Sequence, residues 1–415
     1  MPHVVFTSDF LDPENIGGSG RVILEVGSRL ARQGHRVSIV AGAHHAACWT
    51  HEYAGAALDW ASFPYPIGAR RGFGAWSRLR GAVRTARRAV GAADLLVHNQ
   101  PLTAWLIGDG TTRSAYFFHS PWSLEYATES NSGGAGGNLA RTLRTRLAAA
   151  ARRWIEARVL RVANPVFTLS ETMKCHALKL HGVPEERLSV RPGSADLARF
   201  SPPDTRRRTE LRQHLGVAPN GTLVACVRRL IPRTGVDLLL AALRRVAPLR
   251  PRLRVLVAGR GDQEQQLRDQ GRSLVEQGVL RFLGYVPEGD LADLYGAADA
   301  AIMPTRALEG FGLSTLEALA CGTPVLATPV GGSIEILEGL DPGLLATRAD
   351  ADALAELLLD WTDRPERLAA LRERCRVHAR DGYDWQNLVD GVARAARIAE
   401  PALGRRRLPG PAIRS

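Results

Sequence analysis

The stretch 308–337, LEGFGLSTLEALACGTPVLATPVGGSIEIL, decides how this chain reads. Glu309 and Glu317 stand eight positions apart in it. A helix starting near Gly312 puts Glu309 in the loop before it and Glu317 one to two turns inside. Gly310 and Gly312 let the backbone approach a ligand closely. The N–H groups of Gly312, Leu313 and Ser314 then form an anion site at a helix N-terminus. A diphosphate suits that site, a ribose diol suits Glu317, and sugar hydroxyls suit Glu309. Taken singly, either carboxylate reads as a dipole-complementing or solvated helix residue. The string as a whole reads as a ligand cradle.

On both sides of it, short apolar runs alternate with amphipathic ones. VVFTSD, VSIVAG, DLLVHN, SAYFFHS and PVFTLS read as buried strands, with helices at GRVILEVGSRLARQG, 76–90 and 139–162. The pattern restarts with TLVACVRRL, LRVLVAG, VLRFLGY, AAIMP and PVLAT, again interleaved with helical segments. Strand–helix alternation predicts parallel sheets covered by helices on both faces. Two such runs predict two doubly wound, Rossmann-like α/β domains, with ligands at the carboxyl ends of the strands. The expected division is 1–195, 196–380, a helix in 381–400, and a basic, disordered tail 401–415. Residues 191–208, rich in turn formers, mark the boundary. The glycine-rich loop 129–138 reads as a lid or as a tolerated surface insertion.

The 415 residues are 45% hydrophobic and 23% charged, which suits a globular protein and argues against a disordered or collagen-like chain. No run of eighteen apolar residues occurs, and MPHVVFTSDF reads as a first strand, not a signal peptide. Five scattered cysteines without a C-x-x-C pair fit a reduced, cytoplasmic protein. The net charge of +12 sits mainly in residues 1–200, with 24 basic against 15 acidic residues. All but Lys174 and Lys179 of the basic residues are arginine.

The string around Glu309 and Glu317 resembles the E-x7-E signature of family-4-type retaining glycosyltransferases of the GT-B fold, the glycosyl transferases group 1. The resemblance extends through SETMKCHALKLHGVPEERLSVRPGSADLARFSP (170–202), VLVAGRGDQEQQL (255–267), RFLGYVPEGDLADLYGAADAAIMPT (281–305) and GYDWQNLVDG. It implies that a hexose-like unit moves from a nucleotide-diphosphate sugar with retention, without a cofactor or metal. It places Gly259, Tyr285, Gly310, Phe311, Gly312, Leu313, Ser314 and Glu317 at the donor, with Glu309 also catalytic. It implies that Gly17 and Gly18, after the first strand, lie against the donor phosphates, and that His119 in YFFHSPW contacts the donor sugar. A last helix returning to the N-terminal domain is a further implication. Ser194 stands where the family more often has Gly.

The family's diphosphate clamp, roughly G-R-L-x-x-x-K-G, reads here Arg228-Arg229-Leu230-Ile231-Pro232-Arg233-Thr234-Gly235. Arg229 matches, Thr234 replaces the Lys, and Arg228 replaces the first Gly. Arg233 is therefore expected to supply the second cation, and Thr234→Lys to be tolerated.

Asp350-Ala351-Asp352 has the form of a metal-binding D-x-D, but helix capping explains it. His44, His45, Cys48 and His51 follow a strand in a loop without a second cluster, so no metal is expected. The arginines of 78–88 and 141–161 read as solvated helix faces or as a surface for anionic lipid or a charged acceptor. They lack interleaved aromatics, which argues against nucleic acid. The expected acceptor is a glycan, a lipid or a small metabolite. Two further readings remain open: a nucleotide-sugar epimerase of the same fold, and a catalytically silent sugar-nucleotide binder.

Overall fold

The long apolar runs Val4–Phe6, Leu95–Val97 and Leu223–Cys226 are fully buried, as strands covered on both faces must be. The computed structural model describes all residues except 13–15, 66–72, 109, 111, 131–138 and 398–415. The basic tail, and all but Glu129 and Ser130 of the glycine-rich loop, thus fall outside the described residues.

The chain divides into two units. Unit 1 comprises Met1–Ser123, Leu139–Gly193 and Trp385–Ser415, and unit 2 comprises Leu124–Asn138 and Ser194–Asp384. The described part of Leu124–Asn138 thus groups with the second unit, although it interrupts the first in sequence.

In unit 1 the strands are β1 (His3–Ser8), β2 (Arg36–Ala43), β3 (Cys48–Tyr53), β4 (Ala56–Pro64), β5 (Leu95–His98), β6 (Ser114–Phe118), β7 (Val166–Thr168) and β8 (Leu188–Val190). Their order is β3-β4-β2-β1-β5-β6-β7-β8. All pairings are parallel except β3 with β4. Cys48 and His51 therefore lie in an edge strand, not in a loop, and their side of the hairpin alternates between half-buried and exposed residues. Helices α1 (Gly18–Arg32), α2 (Phe73–Ala89), α3 (Pro101–Ile107), α4 (Trp122–Ser130), α5 (Leu139–Leu160) and α6 (Glu171–His181) follow in order. Leu79, Val83 and Ala86 of α2, Leu102 and Leu106 of α3, and Ile155 of α5 share one core with Val5, Val40 and Leu96. These three helices therefore cover one face of the sheet.

Unit 2 holds β9 (Thr222–Val227), β10 (Leu253–Ala258), β11 (Leu280–Gly284), β12 (Ala300–Met303) and β13 (Val325–Ala327). They form a parallel sheet in the order β11-β10-β9-β12-β13. Its helices are α7 (Thr205–His214), α8 (Val236–Val246), α9 (Glu264–Glu276), α10 (Glu288–Ala297), α11 (Leu313–Ala320), α12 (Gly332–Glu338), α13 (Ala351–Thr362) and α14 (Pro365–Gly382). A final helix, α15 (Trp385–Arg397), belongs to unit 1 and runs against α1. There a Cβ on Gly391 would meet the Phe167 ring at 2.9 Å, so only glycine permits that approach.

The chain leaves β1 toward β2 in unit 1 and returns on the other side at β5. In unit 2 the same reversal falls between β9 and β12. Ligand crevices form at such reversals, beyond the carboxyl ends of the strands.

Candidate active site

In unit 2, Arg228 and Arg229 follow β9 directly, and Thr305 and Glu309 follow β12. Both loops thus sit at the switch point. Arg228 donates from Nη2 to Glu309 Oε2 at 2.7 Å and to Thr305 Oγ1 at 3.0 Å. The pair is nearly dry: the side chains are 8% and 12% exposed. Burial alone would raise the Glu309 carboxyl, but the charges of Arg228 and Arg233 and hydrogen bonds from Arg228 and Thr305 outweigh it. The group is held below the usual carboxylate range. Burial likewise works to lower the Arg228 guanidinium, and the Glu309 charge and hydrogen bond raise it.

Three close backbone approaches hold this pair in place. Gly259 has φ +136°, and a Cβ there would lie 1.9 Å from Arg228 O. A Cβ on Gly331 would meet Glu309 O at 2.0 Å, and one on Gly332 would meet Phe311 O at 2.4 Å. Gly332 N donates to Glu309 O at 3.1 Å. The glycines of PVGGS therefore carry the loop 308–312.

Gly312, at φ +106°, caps α11 without a side-chain bond. The first N–H groups of α11 have no intrahelical acceptor and carry the positive end of the helix dipole. Leu313 and Ser314 are half-buried, and Phe311 is buried with its ring 6.0 Å from that of Tyr383. Glu317 is only 5% exposed, so it is not a solvated helix-face residue.

Arg229 is exposed. Arg233 donates from Nη1 to Leu308 O at 3.0 Å and pairs with Glu125 at 3.4 Å and Glu129 at 3.8 Å. Thr234 is turned inward, 4% exposed, with its hydroxyl donating to the carbonyls of Arg229 and Ile231, both at 2.7 Å. The position that carries Lys in the family is thus a structural hydroxyl that closes a 3-10 turn. Thr234→Lys would remove that hydroxyl, while Arg229 O and Ile231 O keep the backbone donors Ile231 N and Thr234 N, both at 3.1 Å. Arg228 as the partner of Glu309 was not anticipated. Its signal was its own departure: an arginine at the glycine position needs a buried anion, and Glu309 is the acid of the facing loop. Tyr285, after β11, is exposed, and the preceding Gly284 accepts from Gly259 N at 2.6 Å.

In unit 1, Gly17 is the N-cap of α1, which starts at Gly18, and both are exposed. A Cβ at Gly17 would meet nothing within 4 Å. His119 follows β6, and its Nε2 lies 2.6 Å from Asn99 Oδ1, just after β5. Desolvation pushes the imidazole down to about 4, so it is neutral near pH 7. With Nε2–H donating to Asn99, Nδ1 is left as an acceptor. Gln100 Oε1 accepts from Ser8 Oγ and Asp9 N, and Asp9 Oδ1 accepts from Thr103 N, which ties the ends of β1 and β5 together.

Asp350 accepts from Ala353 N at 2.9 Å as the N-cap of α13, and Asp352 pairs with Arg245. Among the described residues, no group of three or more His, Cys, Asp and Glu side chains gathers that could hold a metal. Nor is any helix long and apolar enough to cross a membrane.

Two family models match successive parts of the chain: Glycosyltransferase Family 4 over residues 16–199 and Glycosyl transferases group 1 over 207–380. The chain belongs to the group 1, family-4-type glycosyltransferases. A relative in this group is a GDP-mannose-dependent monoacylated alpha-(1-6)-phosphatidylinositol monomannoside mannosyltransferase of Corynebacterium glutamicum. It is 35% identical over 201 residues, covering 47% of this chain and 52% of the relative. A D-inositol 3-phosphate glycosyltransferase of Actinosynnema mirum is 37% identical over 230 residues, covering 52% and 53%. The match thus spans about half the length of each of these relatives. The sucrose-phosphate synthase of Thermosynechococcus elongatus superposes with a TM-score of 0.78 over 96% of this chain and 98% of that one, at 20% identity. That likeness concerns the fold, which in this glycosyltransferase is GT-B: two parallel-sheet α/β units.

Proposed function

We propose that this glycosyltransferase moves a hexose-like sugar, with retention, from a nucleotide-diphosphate donor to a hydroxyl acceptor. The observation that carries the reading is the switch point of unit 2. There Arg229, Arg233, the N-terminus of α11 and the Arg228-held Glu309 come from loops that meet at one end of one sheet. These groups suit a leaving diphosphate, which gains negative charge as its bond to the sugar breaks. Arg229 and Arg233 supply cations, and the N–H groups after Gly312 supply oriented donors. Glu317 takes a ribose diol, and Gly259 and Tyr285 border the nucleotide. In unit 1, neutral His119 offers Nδ1 to a sugar hydroxyl, with Gly17 and Gly18 leaving room for phosphate. No protein nucleophile is assigned. The leaving phosphate oxygen takes the acceptor's proton, and the protein contributes position and charge stabilisation. A GDP-sugar donor and an inositol- or lipid-type acceptor are the first to test, given the names of the relatives above, with UDP-sugars as the second donor class.

Thr234 and the occupied Glu309 favour one other reading, a binder that turns nothing over. A thermal-shift screen of nucleotide-diphosphate sugars, followed by assay of nucleoside diphosphate release with acceptor, separates them, since a native-state ligand raises Tm. Release that needs acceptor supports transfer. Binding without release supports the silent binder, and product without acceptor supports epimerisation.

A further inference from the structure

Helix α5 is apolar on two opposite sides. Its inner side carries Thr145, Ile155, Glu156 and Val159 into unit 1, with Thr145, Glu156 and Val159 buried. Its outer side carries Leu143, Leu147, Ala150 and Trp154, spaced four, three and four apart, which is one line along a helix. That line faces solvent: Leu143 is 57% exposed, Leu147 64% and Trp154 46%. Arginine borders it on both sides, with Arg144 on one and Arg146 and Arg153 on the other, all exposed. Arg158 stacks its guanidinium 4.6 Å from the Trp154 ring. Helix α2, on the same face of the sheet, adds exposed Trp76, Arg78, Arg84 and Arg88. Together α2 and α5 hold eleven arginines against a single carboxylate, the buried Glu156.

We infer that this face docks on an anionic lipid bilayer, with Leu143, Leu147 and Trp154 entering the headgroup boundary and the arginines meeting lipid phosphates. An apolar line flanked by cations, with tryptophan on it, matches a helix lying in the plane of an interface. A second copy of the chain is the weaker occupant, since a two-fold contact would press the arginine borders against each other. The inference goes beyond the transfer reaction and does not depend on it.

The test is co-sedimentation with phosphatidylcholine vesicles, with and without 30 mol% phosphatidylglycerol (roughly a physiological anionic content), read beside quenching of tryptophan by brominated lipid. The wild-type chain is expected to bind the anionic vesicles, weakly or not at all the neutral ones, and to be quenched. Leu147→Glu should weaken partitioning about tenfold or more, the loss expected for one buried leucine. Trp154→Phe should reduce the quenching, with Trp76 supplying the remainder, while binding persists. Circular dichroism melts confirm that both variants fold. Donor binding without vesicles should match wild type in both, so a failed transfer reaction and a failed docking surface are told apart. Equal binding to both vesicle types overturns the proposal, as does anionic binding without quenching and unchanged by Leu147→Glu. A dimer in sedimentation velocity that Leu147→Glu splits also overturns it, in favour of a second copy.

Discussion

A buried ion pair is costly to break from one side, because the remaining charge has no water to turn to. Arg228→Ala leaves Glu309 in that state. We expect a loss of about 3–5 kcal/mol in urea unfolding. The double variant Arg228→Met, Glu309→Leu should recover much of that stability yet bind donor sugar poorly, which separates the two roles of Glu309. Because the folded carboxyl is held below its unfolded value, its contribution is complete above pH 4.5 and fades as pH falls through the folded value. His119 behaves in the same direction over a different window. Its folded value of about 4 lies below the ordinary histidine value of 6.5, so the unfolded chain takes up the proton first, and stability declines from pH 6.5 toward 4. An NMR titration should show a His119 midpoint near 4, lost as a stability effect in His119→Asn. Thr234→Lys should cost about 0.5–1.5 kcal/mol through the lost hydroxyl hydrogen bond. An unchanged urea midpoint would show that the turn closes without that hydroxyl.

At the scale of elements, the long strands and the glycine-bearing loops were legible in the sequence. Continuous apolar runs announce buried parallel strands, and Gly331 and Gly332 sit where another stretch of backbone crowds them. The hairpin β3–β4 was not legible, because an edge strand such as CWTHEY buries too little for a two-residue period to show. The partner of Glu309 was hidden for another reason: Arg228 lies 81 positions away, and sequence spacing carries no such contact. The setting of α11 makes a separate prediction. Its N-cap Gly312 occupies a left-handed φ, and an added Cβ would lie 3.1 Å from Ser333 Oγ. Gly312→Ala should therefore cost about 1–3 kcal/mol. It should also weaken nucleotide binding, because the strain moves the N–H groups proposed to face the diphosphate. Helix α4 adds a competing effect: Glu125 and Glu129 pair with Arg233, and desolvation followed by the charge of Glu125 raises the Glu129 carboxyl. Glu125→Gln with Glu129→Gln should tighten nucleotide binding if the diphosphate uses Arg233. Unchanged affinity would remove Arg233 from the clamp and leave Arg229 with the α11 terminus.

The whole molecule carries the two α/β units of a GT-B glycosyltransferase, one with a cationic cradle at its switch point and one with a neutral histidine beside its own. The cradle brings its own positive charge, so turnover should persist in EDTA. Loss of activity restored by manganese or magnesium would contradict that. The central claim, that unit 2 holds a nucleotide-diphosphate sugar on the α11 cradle, is tested most directly by isothermal titration of GDP and UDP and their sugars. Wild-type protein is compared with Glu317→Ala, both first shown to fold by their melts. Saturable binding of at least one nucleotide is expected, weakened about tenfold or more, or about 1.4 kcal/mol, by Glu317→Ala. Nucleotide bound equally well by both proteins, or by neither, would contradict it.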